Sequence, residues 1–252
     1  MCHRSCIAFG QRSLDATVVA GRDVLEVGAR DVNGSVRPWV ESLKPASYVG
    51  VDLTPGPRVD EVVDATALVS RFGRESFDVV ISTEMVEHTR DWQTVVTNLK
   101  GVLRPGGHLL VTTRSPGFAY HAWPYDFWRY TPDDMRAIFA DLEIVTVEPD
   151  PQDPGVFVLA RRPESFAEQA PDLALVSMIT GRRERFVSDR QIRLFMARHR
   201  IEEALRTAVA PLGRIGRPLS AVVKPVVRAR NSAWRALPAG ARVALKRALR
   251  RA

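Results

Sequence analysis

His88, His121 and Asp126 are the residues of this 252-residue chain best suited to moving a proton. A neutral imidazole accepts a proton near pH 7, and a carboxylate bonded to its second nitrogen fixes the ring's tautomer and direction. His121 and Asp126 belong to residues 114–131, which also hold Phe118, Tyr120, Trp123, Tyr125, Phe127, Trp128 and Tyr130 around Arg129. Aromatic rings interspersed with polar groups make platforms for sugar rings, quinones or aromatic acceptors. Two plainer uses stay open: aromatics that only seal a lid, and a His88 that caps or packs a helix. Glu84, Glu87 and Asp126 offer oxygen donors, but no spacing among them demands a metal, and none is expected.

A second group of residues suits a nucleoside. Val24-Leu25-Glu26-Val27-Gly28 runs into a turn that ends near Asn33-Gly34, and Tyr48-Val49-Gly50-Val51 ends in Asp52-Leu53. A glycine turn that opens a helix presents free backbone N–H groups and the positive end of the helix dipole. An acid at the end of the next strand can accept hydrogen bonds from ribose hydroxyls. That pair of features is equally compatible with NAD. Three others favour S-adenosylmethionine: Glu26 suits the cationic amino-acid end of that cofactor, the turn lacks the GxGxxG spacing that admits a pyrophosphate, and an antiparallel hairpin closes the strand series.

The elements that must position these residues are legible in outline. Strands are expected at 24–28, 48–53, 59–64, 77–82 and 108–113, with a helix over 91–103 that Arg104-Pro105-Gly106-Gly107 stops. Thr131-Pro132-Asp133-Asp134 opens another helix with a Thr cap, a Pro in the first turn and acids beside it. Strands at 143–148 and 155–161 are joined by a turn too short for a parallel crossover. The expected fold is α/β: a Rossmann-like doubly wound sheet of five parallel strands plus a C-terminal antiparallel hairpin, with a helical basic extension. Residues 1–22 form an N-terminal lead, 23–163 the catalytic domain and 164–252 the extension, where no further strand is expected. Cys2 and Cys6 are expected to be free thiols on a frayed end.

In these blocks the chain resembles the class I S-adenosylmethionine-dependent methyltransferases, in particular the group of ubiquinone-biosynthesis-type enzymes. The blocks are VLEVGARDVNGS, YVGVDL, VVDATAL, SFDVVISTEMVEH and LRPGGHLLVTT, in that family's order over about residues 20–163. The resemblance implies that Glu26, Gly28 and the following turn, with Gly34, face the methionine part. It implies that Asp52 and Leu53 hold the ribose, that Asp64 and Ala65 bracket the adenine, and that Thr83 and Glu84 lie beside the sulfonium. The chain departs from the family's acid-x-Gly-x-Gly-x-Gly turn, because Ala29, Arg30, Asp31 and Val32 follow Gly28. The segment HAWPYDFWRYT resembles methyltransferases of surface-polysaccharide and glycolipid pathways, which implies a sugar hydroxyl as acceptor. A small phenolic or quinone acceptor is the alternative, and a non-catalytic binding module on the same scaffold is a second one.

Charge divides the chain. Residues 1–163 carry 17 Lys/Arg against 22 Asp/Glu, residues 164–252 carry 19 against 7, and no acid follows Glu203. At helical spacing Arg242, Lys246, Arg247, Arg250 and Arg251 share one face of residues 240–251. Such a helix suits an anionic membrane surface or a partner protein. Nucleic acid ranks last, since the acidic body would approach the same polyanion. No apolar run is long enough to span a bilayer and no signal core is visible, so the expected place is the cytoplasm, at most peripheral to the inner face of the membrane. Oligomeric state is not legible.

Overall fold

The computed structural model describes residues 3–121, 125–169 and 172–209. Residues 1–193 form one compact unit, and a second begins at Leu194. The first unit starts with helices α1 (Arg4–Ser13) and α2 (Ala16–Val19), β1 (Asp23–Val27), α3 (Arg37–Ser42), β2 (Ser47–Asp52), β3 (Glu61–Val62), α4 (Leu68–Phe72) and β4 (Phe77–Thr83). It continues with α5 (Trp92–Val102), β5 (Leu103–Arg114), β6 (Trp128–Arg129), α6 (Pro132–Ile138), β7 (Glu143–Pro149), β8 (Gly155–Arg161), β9 (Leu175–Ser177) and β10 (Arg183–Glu184). Helix α7 (Asp189–Val209) is the last described element.

Seven strands make one sheet in the order β3-β2-β1-β4-β5-β8-β7. β1 to β5 are parallel, and the β7–β8 hairpin joins through an antiparallel β5–β8 ladder. This is the expected Rossmann-like architecture, with a three-stranded sheet β10-β9-β6 added to it. Buried apolar runs such as Val79-Val80-Ile81 and Leu109-Leu110-Val111 explain the central strands, which are covered on both faces.

Local chemistry sets the helices. Asp91 caps α5 by accepting from Thr94 N at 3.1 Å. Thr131 and Asp134 form a reciprocal capping box at α6, with Asp134 N donating to Thr131 Oγ1 at 3.1 Å and Thr131 N to Asp134 Oδ2 at 2.9 Å.

Two regions depart from the expectation. The N-terminal end is part of the core: Cys6 and Phe9 of α1 are buried, and Phe9 stacks on Phe157 of β8 with ring centroids 5.0 Å apart. The short apolar run Cys6-Ile7-Ala8-Phe9 of α1 carried that signal, but its polar flanks hid it. Strand pairing also continues after Pro163, because β9 supplies the antiparallel partner of β6 (Trp128↔Ser177, Arg129↔Val176). β9 is only three residues long and sits among turn residues, so no periodicity announced it. The basic stretch 240–251 lies outside the described residues. Among the described residues, no helix is long and apolar enough to cross a membrane.

Candidate active site

An open cleft of about 890 Å³ lies where β1, β2 and β4 end, the end at which parallel α/β sheets bind ligands. Val27, Gly28 and Arg30 line it from the first turn, Asp52, Leu53 and Thr54 from the second. Asp64 and Ala65 follow, and Glu84, Met85, His88 and Thr89 complete it after β4. Gly28 has φ 83°, and a Cβ there would meet the Met85 side chain at 2.7 Å. Only glycine lets the turn run this close to Met85.

Asp52 ends β2 facing this cleft. Its carboxylate is held loosely: Oδ1 accepts from Thr54 N at 3.1 Å and Oδ2 from Arg30 N at 3.4 Å. A carboxylate so placed has the acceptor capacity for two vicinal ribose hydroxyls. Asp64 caps a single 3-10 turn, taking Thr66 N and Thr66 Oγ1, each at 2.8 Å, on the same oxygen. The glycine cradle, the strand-end acid and the exposed Leu53 beside it therefore fit an adenosine-bearing cofactor.

The lengthened turn has a clear physical form. α3 starts only at Arg37, and residues 30–36 reach across to the loop after β2 instead of entering a helix at once. Asp31 accepts from Gly34 N at 2.9 Å and pairs with Arg58 Nε at 2.9 Å, while Arg30 Nη1 donates to Thr54 Oγ1 at 3.0 Å. Gly34 (φ 123°) thus shapes the loop and does not line the cleft.

Glu26 is also set back from the cleft wall. It is 2% exposed and accepts from the Tyr48 hydroxyl at 2.8 Å. Burial raises its pKa to about 7, against the pull of the Tyr48 hydrogen bond and the Arg37 charge. Thr83 is buried in register with Thr112 and does not reach the cleft either.

Glu84 does line the cleft, in the left-handed region at φ 54°, a backbone state costly for a non-glycine residue. It is held there because its N–H donates to Thr112 O at 2.9 Å and its carboxylate is in close ion-pair contact with the buried Arg114. Arg114 bonds Asp150 in turn, at 3.3 Å. Arg114 is the last residue of β5, and its partnership with Glu84 depends on strand pairing that the sequence does not display.

The two histidines lie side by side. His88 follows β4 in a one-turn 3-10 helix and lines the cleft, and its Nδ1 lies 2.7 Å from Tyr125 O. A carbonyl only accepts, so Nδ1 is the donor in this contact. His121 packs edge-on against His88 with ring centroids 4.7 Å apart. Its Nδ1 lies 3.0 Å from Asp126 Oδ2, and Asp126 is buried and bidentate to Arg129. Burial lowers the His121 pKa, but the Asp126 and Glu87 carboxylates outweigh it and raise it to about 9.

Between the rings stands Glu87, fully buried, whose centrality was not foreseen. Its Oε2 accepts from Thr113 Oγ1 at 2.8 Å. Its Oε1 has no hydrogen-bond partner and faces His121 Nε2 at 3.7 Å and His88 Nε2 at 4.0 Å, both too long for a hydrogen bond.

The aromatic segment divides into two groups. Phe118 stays with the histidines, 5.0 Å from the His121 ring, while the Tyr125 ring lies 5.5 Å from that of Phe127 and only its backbone carbonyl meets His88. Trp128 is a core residue whose indole donates to Thr89 O at 2.9 Å, and Phe127 and Tyr130 are buried with it. Trp123 lies outside the described residues.

A sheet of this order with an acid and a glycine turn at its carboxyl end is the arrangement that the sequence resemblance to S-adenosylmethionine-dependent methyltransferases leads one to expect. Residues 25–111 match a family model described as "Methyltransferase domain". A phthiotriol/phenolphthiotriol dimycocerosates methyltransferase of Mycobacterium leprae is 31% identical over 136 residues, 50% of either chain. The ubiquinone biosynthesis O-methyltransferase of Vibrio atlanticus is 26% identical over 111 residues, 39% of this chain and 46% of its own. The chain thus spans about half the length of the curated relatives it matches.

Among solved structures, the Haloferax volcanii complex of the Trm112 methyltransferase activator with a putative methyltransferase superposes with TM-score 0.52 at 15% identity. That match covers 66% of this chain and 92% of the other. The [4+2]-cyclase SpnF superposes with TM-score 0.51 at 15% identity, over 63% of this chain and 80% of its own. These likenesses show the fold. That one of them is a cyclase is a reminder that the fold does not set the reaction.

Proposed function

We propose that the chain transfers a methyl group from S-adenosylmethionine to a hydroxyl oxygen of a sugar in a glycan or glycolipid precursor. The observation that carries this reading is a single cleft lined by both Asp52 and His88, with His121 and Asp126 directly behind His88. The cofactor, when bound, supplies a methyl group activated on a sulfonium. Asp52 and Leu53 hold its ribose side, Asp64 and Ala65 its adenine, and Gly28 lets it approach the backbone. His88, His121 and Asp126 handle the acceptor oxygen, which must lose its proton as the methyl arrives. Phe118 gives that oxygen's ring a flat apolar wall.

The named lipid and quinone pathways of the relatives support an oxygen acceptor on a hydrophobic or ring-bearing molecule. The ubiquinone relative favours the second reading, a small phenolic or quinone acceptor. A binding module without catalysis would need neither the convergent histidines nor their oriented partners. The basic stretch 240–251 is proposed to meet an anionic membrane surface or a partner protein; in the first case the enzyme works at the inner face of the membrane. Co-sedimentation with anionic liposomes that ignores both lipid charge and salt would remove the membrane assignment.

Calorimetric titration with S-adenosylhomocysteine tests the cofactor half. Transfer of labelled methyl from S-adenosylmethionine to sugar lipids, compared with phenols and quinols, tests the acceptor half. Labelling confined to the phenols would overturn the sugar assignment.

A further inference from the structure

Glu87, His88 and His121 place one ligand atom each within 4.8 Å of the others. His88 Nδ1 lies 2.7 Å from a backbone carbonyl, and His121 Nδ1 stands 3.0 Å from the Asp126 carboxylate, an ion-pair contact outside hydrogen-bond geometry. Both Nε2 atoms therefore turn to Glu87 Oε1. That oxygen is buried without a hydrogen-bond partner, an arrangement that is costly for a charged group unless something fills it. Histidines tied at the rear nitrogen by a carboxylate or carbonyl, with the front nitrogen free, are the usual supporting arrangement of metal ligands.

We propose that Glu87, His88 and His121 bind a divalent first-row transition cation, with Asp126 and Tyr125 O as the groups that orient the two rings. Two imidazoles and one carboxylate suit zinc, manganese, iron or cobalt and leave coordination positions open. Bonds of about 2.0–2.1 Å bring neighbouring ligand atoms to roughly 3.3 Å, so the observed 3.7 Å and 4.0 Å separations need only a small contraction. Because His88 lines the cleft, the open positions face the space an acceptor occupies. The fitting acceptor class is one with two neighbouring oxygens, such as a vicinal diol, which could bind the cation through both. This deepens the proposed function and rests on it for the cation's role, but not for the site itself.

The test uses tag-free full-length protein stripped with chelator, titrated with Co²⁺ alone and read by its visible d–d absorption, and with Mn²⁺ alone read by loss of the free-ion resonance. One cation per chain is expected. Glu87→Gln and His121→Asn should each weaken binding at least tenfold, and Asp126→Asn, which only orients a ligand, by about 10–100-fold. S-adenosylhomocysteine binding by the same samples reports that each variant is folded. If a variant fails to fold, His88→Gln and the Co²⁺ spectrum of the unaltered protein, which reports nitrogen ligation directly, decide the question. Failure of the unaltered protein to bind either cation, or equal binding by folded Glu87→Gln and His121→Asn, overturns the proposal. Loss of S-adenosylhomocysteine binding by the unaltered protein would instead overturn the cofactor reading and leave the cation result standing.

Discussion

The Tyr48 hydroxyl donates to Glu26 Oε2 at 2.8 Å across two neighbouring parallel strands. That single bond does not offset the burial of the carboxylate, whose pKa rises to about 7. A carboxyl with a raised folded-state pKa stabilises the fold fully below its unfolded value and loses that contribution as pH rises through the folded one. Stability attributable to Glu26 should therefore fall between about pH 4.5 and pH 7, by on the order of 3 kcal/mol. Glu26→Gln keeps an acceptor for Tyr48 and has no proton to lose. Urea midpoints of the two proteins should converge near pH 4.5 and the variant should be the more stable at pH 8. An unaltered protein that is the more stable at pH 8 would show that Glu26 is ionised by a favourable partner.

Asp52→Ala should weaken S-adenosylhomocysteine binding by about 1.5–3 kcal/mol, the range for a hydrogen bond to a charged group. The loss should be smaller for adenine alone, which has no ribose. Equal affinity of the folded variant would remove Asp52 from the cofactor site.

His88→Ala and His121→Asn should each lower turnover on the order of 10²–10⁴-fold with cofactor affinity unchanged. Because the rings touch edge to face and share Glu87, the two losses should not add. Near-normal rates in the double variant would place acceptor activation elsewhere.

Lys100 tests the scaffold apart from chemistry. Its Nζ donates to Ile138 O at 2.7 Å and pairs with Asp141 at 2.7 Å, both side chains being 1% exposed. Lys100→Ala leaves Asp141 buried and unpaired and should cost about 3–5 kcal/mol. Lys100→Met with Asp141→Asn should recover a large part of that loss, which thermal melts can read. A single variant as stable as the parent would mean that water reaches Asp141.

How much of this was legible depends on the range of the interaction involved. The strands ending at Gly28, Asp52 and Thr83, the Asp91 cap and the Thr131 capping box are written in adjacent residues, and the sequence reading finds them. The placement of Asp52, Asp64 and His88 around one cleft follows from strand order. What stayed hidden depends on partners distant along the chain. Nothing local reveals that Arg114 would neutralise Glu84, or that Cys6 of the first helix would come within 3.5 Å of the same carboxylate. Alternation along β1 likewise cannot say that Tyr48 would hold Glu26 behind the cleft wall. Trp128 looked like a platform because its composition suits one, but its indole N–H finds backbone carbonyls at Thr89 and Arg90 and the ring goes inside.

The pairing of β6 with β9 has a consequence for how such enzymes diversify. Trp128 and Arg129 take their ladder from Val176 and Ser177, and Met178 N donates to Phe127 O at 2.8 Å. The core behind the two histidines is thus woven from two stretches of chain that flank the β7–β8 hairpin, while the hydrogen bonds that hold Asp52 draw on neither. A chimera could inherit its donor half from one parent and its acceptor half from another. The second parent would have to contribute residues 114–131 and 172–187 together, since either stretch alone would arrive without its ladder.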